Sequence, residues 1–442
     1  MNSANSIKNK NRGIFWCLLV TLLLLIMVRY AFQTDVPRIV FLFIIALTAI
    51  LGDRNEIVAL CICFIPMHES IDFYYALVIC VAIYMFKYLK SVRFGYNLLI
   101  VLAVAIWELL HCLFTSFDIV QYLVYIIPFI ILAVLMASDA ENLDYPFIVR
   151  AFAYSVLGIT LILFIRVLYF SDFNIVSALA GLQRMGSDYH SNIDDVTISG
   201  AQINPNSLGI IAVLASTGLM QLRSMKAGRK SDMFIMCIIL VLSALGTSRT
   251  YVACLAMMII LLIASEKGGM RKKIQLFAIL FGAVAVSVVA MAILFPETFE
   301  YFVGRFFEDD ITTGRGDAML LFHRFIMDNP KVLFFGLGLQ DYSELIIYTY
   351  RVWNNIPHNF IQEIIIAWGI PGILLFVAQF ISMYTVSLRK NRNISMLNWS
   401  PLIIILFKSL AGQLLTSSYT MLALSFAYLS LCQNFYCNKQ GE

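Results

Sequence analysis

A chain of 442 residues that is 61% hydrophobic and only 13% charged is unlike a soluble domain, where about half the residues are apolar and about a quarter charged. With a mean hydropathy of +0.84, its apolar runs approach or reach the roughly 20 residues needed to cross a bilayer. They predict an all-α polytopic membrane protein, one integral membrane domain over residues 1–442. The net charge of +4 is accounted for by basic loops, so nucleic-acid binding has no support.

In chain order the runs predict fourteen spans, near 14–32, 39–52, 57–67, 74–88, 97–114, 119–137, 148–170, 207–222, 233–246, 250–265, 274–295, 358–386, 399–416 and 418–434. Lys8, Lys10 and Arg12 precede the first and set the N-terminus on the cytoplasmic side. Alternation then puts nineteen of the 31 basic residues inside and eight outside, with Arg29, Arg150, Arg166 and Lys408 within spans. Both termini are expected to be cytoplasmic. The two long loops, 171–206 and 296–357, are expected to be extracytoplasmic. The first run leads into Arg29-Tyr30-Ala31-Phe32 with no small-x-small cleavage pattern, so it is read as an uncleaved helix. The nine cysteines form no CxxC pair, and most lie in apolar runs as small hydrophobes. They imply neither disulfides nor a metal cluster.

The first long loop contains Leu182-Gln183-Arg184-Met185-Gly186 and ends at Asn204-Pro205-Asn206-Ser207, where Asn206 or Ser207 would cap the next helix. Arg249 sits in Gly246-Thr247-Ser248-Arg249-Thr250, at an outer joint between two spans. Ser248 can cap the following helix, whose free N–H groups and positive dipole end favour an anion beside the guanidinium. An arginine fork holds phosphate at two points, which lysine does not copy. Interfacial snorkelling accounts for Arg249 equally well.

The second long loop runs from Pro296 through Glu308-Asp309-Asp310 to Gly314-Arg315-Gly316-Asp317. A short amphipathic helix near Asp317–Asp328, stopped by Asn329-Pro330, is expected to lie along the membrane interface. Gly336-Leu337-Gly338 reads as a tight turn rather than a nucleotide loop. Asn393-Ile394-Ser395 is a formal glycosylation sequon, discounted because its loop is cytoplasmic.

Arg184 and Arg315 each lie beside glycine in an outer loop. Singly, each is a solvated charge. Together with Arg249 they point to an anionic ligand, and a lipid diphosphate fits because its tail stays in the bilayer while its phosphates sit at the interface. His358 follows Pro357 and is read in the first turn of a span, where the helix dipole keeps imidazole neutral. It is a candidate general base, or an interfacial or capping histidine. Glu363 and Lys408 are charges within spans and would form a structural ion pair if their helices touch. Glu108 lies toward the outer third of the fifth span, and His111 and His323 are read as structural. Gly369 and Gly372 around Pro371 predict a kink.

At these residues the chain resembles the bacterial O-antigen polymerase and O-antigen ligase superfamily. The resemblance rests on Arg184 with Asn204-Pro205-Asn206, on Gly246-Thr247-Ser248-Arg249, on Thr313-Gly314-Arg315, on Asn329-Pro330 with Phe335-Gly336-Leu337-Gly338, and on Pro357-His358-Asn359 with Trp368-Gly369-Ile370-Pro371-Gly372. It covers roughly residues 180–385. It implies inverting, metal-independent glycosyl transfer, with no cofactor, at the outer face of the bacterial cytoplasmic (inner) membrane. Undecaprenyl diphosphate-linked glycans would be the donors.

By that resemblance Arg184, Arg249 and Arg315 bind the diphosphate and His358 activates the acceptor hydroxyl. Thr250, where glycine often follows the arginine, and Pro371 depart from the commonest pattern without touching a charged group. A repeat-unit polymerase for O-antigen, capsule or exopolysaccharide is the first expectation, with a chain-length regulator and a flippase as pathway partners. A ligase using lipid A-core as acceptor is the second. A transporter of anions or lipid-linked sugar is the reading from another class. It would place its site near the midplane between repeats, whereas here an outer polar cluster stands without a repeat.

Overall fold

The structure is a computed structural model describing residues 2–93, 95–114, 118–138, 140–175, 185, 204–246, 248–266, 269–294, 296, 299, 300, 303, 304, 315–353, 357–390 and 395–433. The first helices are α1 (Asn2–Tyr30), α2 (Arg38–Leu51), α3 (Arg54–Met67), α4 (Phe73–Tyr88), α5 (Tyr96–Phe114), α6 (Ile119–Ala137) and α7 (Tyr145–Phe170). After the first long loop come α8 (Pro205–Ser224), α9 (Lys230–Ala244), α10 (Arg249–Ser265) and α11 (Met270–Leu294). The second long loop contributes α12 (Arg315–Asp328), α13 (Pro330–Phe335) and α14 (Leu339–Trp353). The chain ends with α15 (Phe360–Lys390), α16 (Met396–Ser409) and α17 (Ser418–Leu431).

The all-α polytopic architecture is thus present, with no strand among the described residues. Each predicted run coincides with a helix. Seven of the helices are long and apolar enough to cross a membrane, and four shorter ones are apolar as well. Three helices are buried on every side: α3 from Glu56 to Met67, α8 from Leu208 to Leu219 and α17 from Thr420 to Leu431. Helices without a polar face belong in such positions. Around them α1 and α5 leave Val20, Leu24, Leu99, Leu102 and Ile106 exposed, as lipid-facing helices do. Small residues set the close approaches: a Cβ on Gly158 would stand 2.7 Å from Leu23, and one on Gly209 would stand 2.5 Å from Tyr251.

Polar contacts gather at the two ends of the bundle. At one end Arg12 pairs with Asp144, Asp144 N donates to Asn55 at 2.7 Å, and Arg150 pairs with Asp232 at 3.1 Å. At the other, Tyr30 donates to the Ser70 carbonyl at 2.8 Å, Arg38 meets Asp72 at 3.4 Å, and Ser248 donates to Asn206 at 2.6 Å. Each of these contacts joins residues in loops or at span ends on one side of the predicted alternation.

The predicted kink is present. Gly369 has φ 64 and ψ −158, a conformation for glycine alone, and Pro371 has no N–H to offer the preceding turn. The carbonyls left over find partners elsewhere. Ile366 O accepts from Leu337 N at 2.8 Å, Ala367 O from Gly338 N at 2.7 Å, and Trp368 O from the Trp107 indole at 3.1 Å. Gly336-Leu337-Gly338 is therefore the expected tight turn, strapped across the break. A Cβ on Gly336 would meet Ala367 O at 2.4 Å. Glu108 reinforces the strap, accepting from the Trp368 indole at 2.6 Å and from Leu339 N at 3.0 Å, while His111 bonds the Phe335 carbonyl at 2.8 Å. His111 is structural, as read.

Three local readings change. The cap of α8 is Asn204, whose side chain accepts from Asn206 N at 2.9 Å, because Pro205 opens the helix two residues earlier than expected. The run 399–416 stops being helical at Ser409, so Lys408 lies in the last turn of α16 rather than mid-span. There its ammonium complements the carbonyl end of the helix. The helix read at 317–328 begins at Arg315, and protein covers much of its apolar face: Ala318, Phe322 and Ile326 are buried. Leu320 and Met327 stay exposed.

Candidate functional site

Arg249 is the first residue of α10, and Ser248 caps the helix as read, accepting from Tyr251 N at 3.2 Å. The same hydroxyl donates to Asn206 Oδ1 at 2.6 Å. Met185 is buried and donates its N–H to Leu245 O at 2.9 Å. A Cβ on Gly246 would lie 3.5 Å from both Met185 O and Pro205 Cβ. Three separate motifs, at Met185, at 204–206 and at Leu245, Gly246, Ser248 and Arg249, thus meet at the start of α10. Arg184 itself lies outside the described residues; the residue that follows it is held against the Arg249 loop.

The second part of the site is the start of α15. The helix begins at Phe360, and Asn359 is its cap, accepting from Ile361 N at 2.9 Å and Gln362 N at 3.3 Å. His358 is therefore not in the first turn but one residue ahead of the cap, half-buried behind the buried Pro357. Asparagine is the better cap, which displaces the histidine outward. Asn359 also donates to Leu410 O at 3.3 Å.

Glu363 and Lys408 do not pair. The fully buried Glu363 accepts from Leu414 N at 2.6 Å, Leu415 N at 3.0 Å, Thr416 N at 2.9 Å and the Thr416 hydroxyl at 2.7 Å. Lys408 donates to Gln413 O at 3.0 Å and the Thr420 hydroxyl at 3.3 Å, and lies 5.2 Å from the Tyr419 ring centre. Both side chains thus hold the loop 410–417, Lys408 at Gln413 and Glu363 at Leu414 to Thr416. Four donors on one carboxylate satisfy its burial without a cation.

The third part is the start of α12. Arg315 is its first residue; the Arg315 side chain lies outside the described residues. Gln362, one turn into α15, donates to the Met319 carbonyl at 2.8 Å and so fastens this helix beside the His358 loop. Further along the same loop, burial pushes the Asp341 carboxyl up, with the charge of Glu344 adding and that of His111 opposing.

Packing brings these parts to one end of the bundle. The helix α16 runs antiparallel to α8, since Gln221 near the end of α8 donates to the Leu397 carbonyl near the start of α16 at 2.7 Å. Its last turn therefore lies at the Pro205 end. The helix α10 packs on both. The Asn359–Leu410 bond joins the His358 loop to the same end. Sequence reading missed Asn206, Asn359 and Glu108 as organisers. Each is a short polar residue beside a helix start or within a span, a pattern that signals a cap or a buried bond without naming its partner.

Residues 233–377 match a family model described as O-Antigen ligase. The match covers about a third of the chain and contains Arg249, Arg315, His358, Glu363 and the helix break at Gly369, but not Arg184 or Lys408. No curated protein matches the chain. Members of the matched family are membrane glycosyltransferase-like enzymes, ligases and polymerases. Over residues 233–377 the chain is similar to the O-antigen ligase family, which supports the resemblance to the O-antigen polymerase and ligase superfamily for the motifs in that stretch.

Proposed function

We propose that this protein polymerises undecaprenyl diphosphate-linked oligosaccharide repeat units at the outer face of the bacterial cytoplasmic membrane. One observation carries the reading. Within the segment that matches the family, the Arg249 helix start, the Arg315 helix start and the His358 loop lie at one end of the bundle, joined through Gln362–Met319, Asn359–Leu410 and the packing of α10 on α16.

In this reading the donor's polyprenyl tail stays in the bilayer and its diphosphate meets Arg184, Arg249 and Arg315. His358 accepts the proton of an acceptor sugar hydroxyl as that oxygen attacks the anomeric carbon. The new C–O bond forms as the bond to the diphosphate breaks, and configuration inverts. The electron pair departs with the lipid diphosphate, whose charge the guanidinium groups balance. That role needs a neutral imidazole, the form that the positive field of a helix N-terminus favours.

Ligation of finished glycan to a lipid A-core acceptor is the second reading, favoured by the description of the matched family. Deleting the gene separates the two. Single repeat units retained while long chains vanish from the surface glycan support polymerisation. Loss of even the single-unit form, with lipid-linked polymer accumulating, supports ligation.

A further inference from the structure

A cleft of about 770 Å³ opens between α5, α6 and α15, far from the site described above. Ser382 on its wall is twenty-two residues beyond Phe360, where α15 begins, roughly 33 Å along the helix at 1.5 Å per residue, measured through the break at Gly369. That is about the thickness of a bilayer's hydrocarbon core. Under the predicted alternation the cleft sits at the cytoplasmic leaflet, where the charge pattern concentrates arginine and lysine.

Its wall is divided in chemistry. Arg93 and Arg389 line one part, and neither joins an ion pair among the described residues. Asn97 and Ser382 form a polar floor; they are 6% and 7% exposed and bonded to one another. The Ser382 hydroxyl donates to the Asn97 side-chain oxygen, so the two polar side chains meet on this floor. Ile100, Met136 and Ile381 make the remaining wall apolar, with Ile381 exposed on the lipid-facing side.

We propose that this cleft binds one anionic phospholipid, its phosphate between Arg93 and Arg389 and an acyl chain along Ile100, Met136 and Ile381. Two arginines without carboxylates call for a diffuse or paired anion, and guanidinium groups match phosphate oxygens in two-point contacts. A basic pocket between helices at the cytoplasmic side is where anionic headgroups are held. The apolar wall distinguishes a lipid from free phosphate, which would leave it uncovered. The polar floor suits the glycerol and ester oxygens that sit between headgroup and chain. The site is independent of the transfer chemistry at the opposite end.

The test uses the full-length protein purified in detergent. Thermal unfolding and native mass spectrometry are recorded with phosphatidylglycerol, with phosphatidylcholine of the same chains, and with inorganic phosphate alone. Phosphatidylglycerol is expected to raise the unfolding midpoint saturably and to remain as an adduct; the other two are not. R93A/R389A should bind the anionic lipid about fivefold to tenfold more weakly for each arginine removed. Ala378→Phe, which fills the cleft but leaves both arginines, should lose the lipid as well. Equal binding of phosphatidylcholine, a shift reproduced by inorganic phosphate, or full retention of the adduct in R93A/R389A would each overturn the proposal.

Discussion

Ser248 Oγ donates to Asn206 Oδ1 across 2.6 Å, so the cap of the helix that begins at Arg249 is itself held by the helix that leaves the first long loop. One hydroxyl serves two elements, and the guanidinium position depends on both. Ser248→Ala should lower stability by about 1–2 kcal/mol, the cost of a lost cap and a lost hydrogen bond. It should also weaken donor binding, while Ser248→Thr restores both. Thermal unfolding paired with donor titration checks this; normal donor affinity in a correctly folded Ser248→Ala would detach the cap from the ligand.

Glu363 offers a contrast between a buried acid and a catalytic one. With Leu414, Leu415 and Thr416 all donating to its carboxylate, Glu363→Ala strands three N–H groups, two of them buried. The loss should reach at least about 3 kcal/mol, seen as poor yield and a lowered unfolding midpoint. Glu363→Gln keeps part of the acceptor set, so its activity per folded molecule should hold close to normal. A stable Glu363→Gln enzyme with little transfer would move this residue into the chemistry.

Replacing Arg184, Arg249 or Arg315 by alanine should each weaken binding of the lipid diphosphate donor by about 1.5–3 kcal/mol, the range for hydrogen bonds to charged groups. Lysine should rescue poorly, since it lacks the planar fork. Donor titration on purified variants reads this directly, and unchanged affinity in all three would remove the phosphate clamp from the account.

The orientation of the bundle is open to cysteine labelling in a background without the native thiols. Probes at Ser187 and at the exposed Asp328 should react from outside the cell, and probes at the exposed Gly228 and at Gly268 should not. The reverse pattern would put the candidate site on the cytoplasmic side and end the proposed use of an outer-leaflet donor.

Much of this architecture is legible in the chain itself, for identifiable reasons. Apolar runs of membrane length announce the helices; Ser248 before Arg249 announces a cap; Gly336-Leu337-Gly338 and Gly369 to Gly372 announce a turn and a break. Each is a local signal. What stayed hidden is the identity of partners across space. Nothing near Glu108 or Glu363 tells that one would clamp the strap at Leu339 and the other the loop at Leu414–Thr416. The loop 410–417 itself sits inside an apolar stretch, so hydropathy carries the helix through it and leaves Lys408 misplaced mid-span. The helix begins at Phe360, two positions beyond the predicted start at His358, because Asn359, the stronger cap, follows the histidine.

The central claim is that His358 takes the proton of the acceptor hydroxyl, and the most direct measurement is single-turnover glycosyl transfer by purified His358→Ala and His358→Gln beside the parent enzyme. Both variants should insert, fold and bind the lipid-linked donor, because the cap of α15 is made by Asn359 and is kept in both. Transfer should fall by about a hundredfold to ten-thousandfold in both, since glutamine can orient a hydroxyl but cannot accept its proton at neutral pH. Near-parental transfer by His358→Gln would contradict the claim and leave His358 as a positioning group.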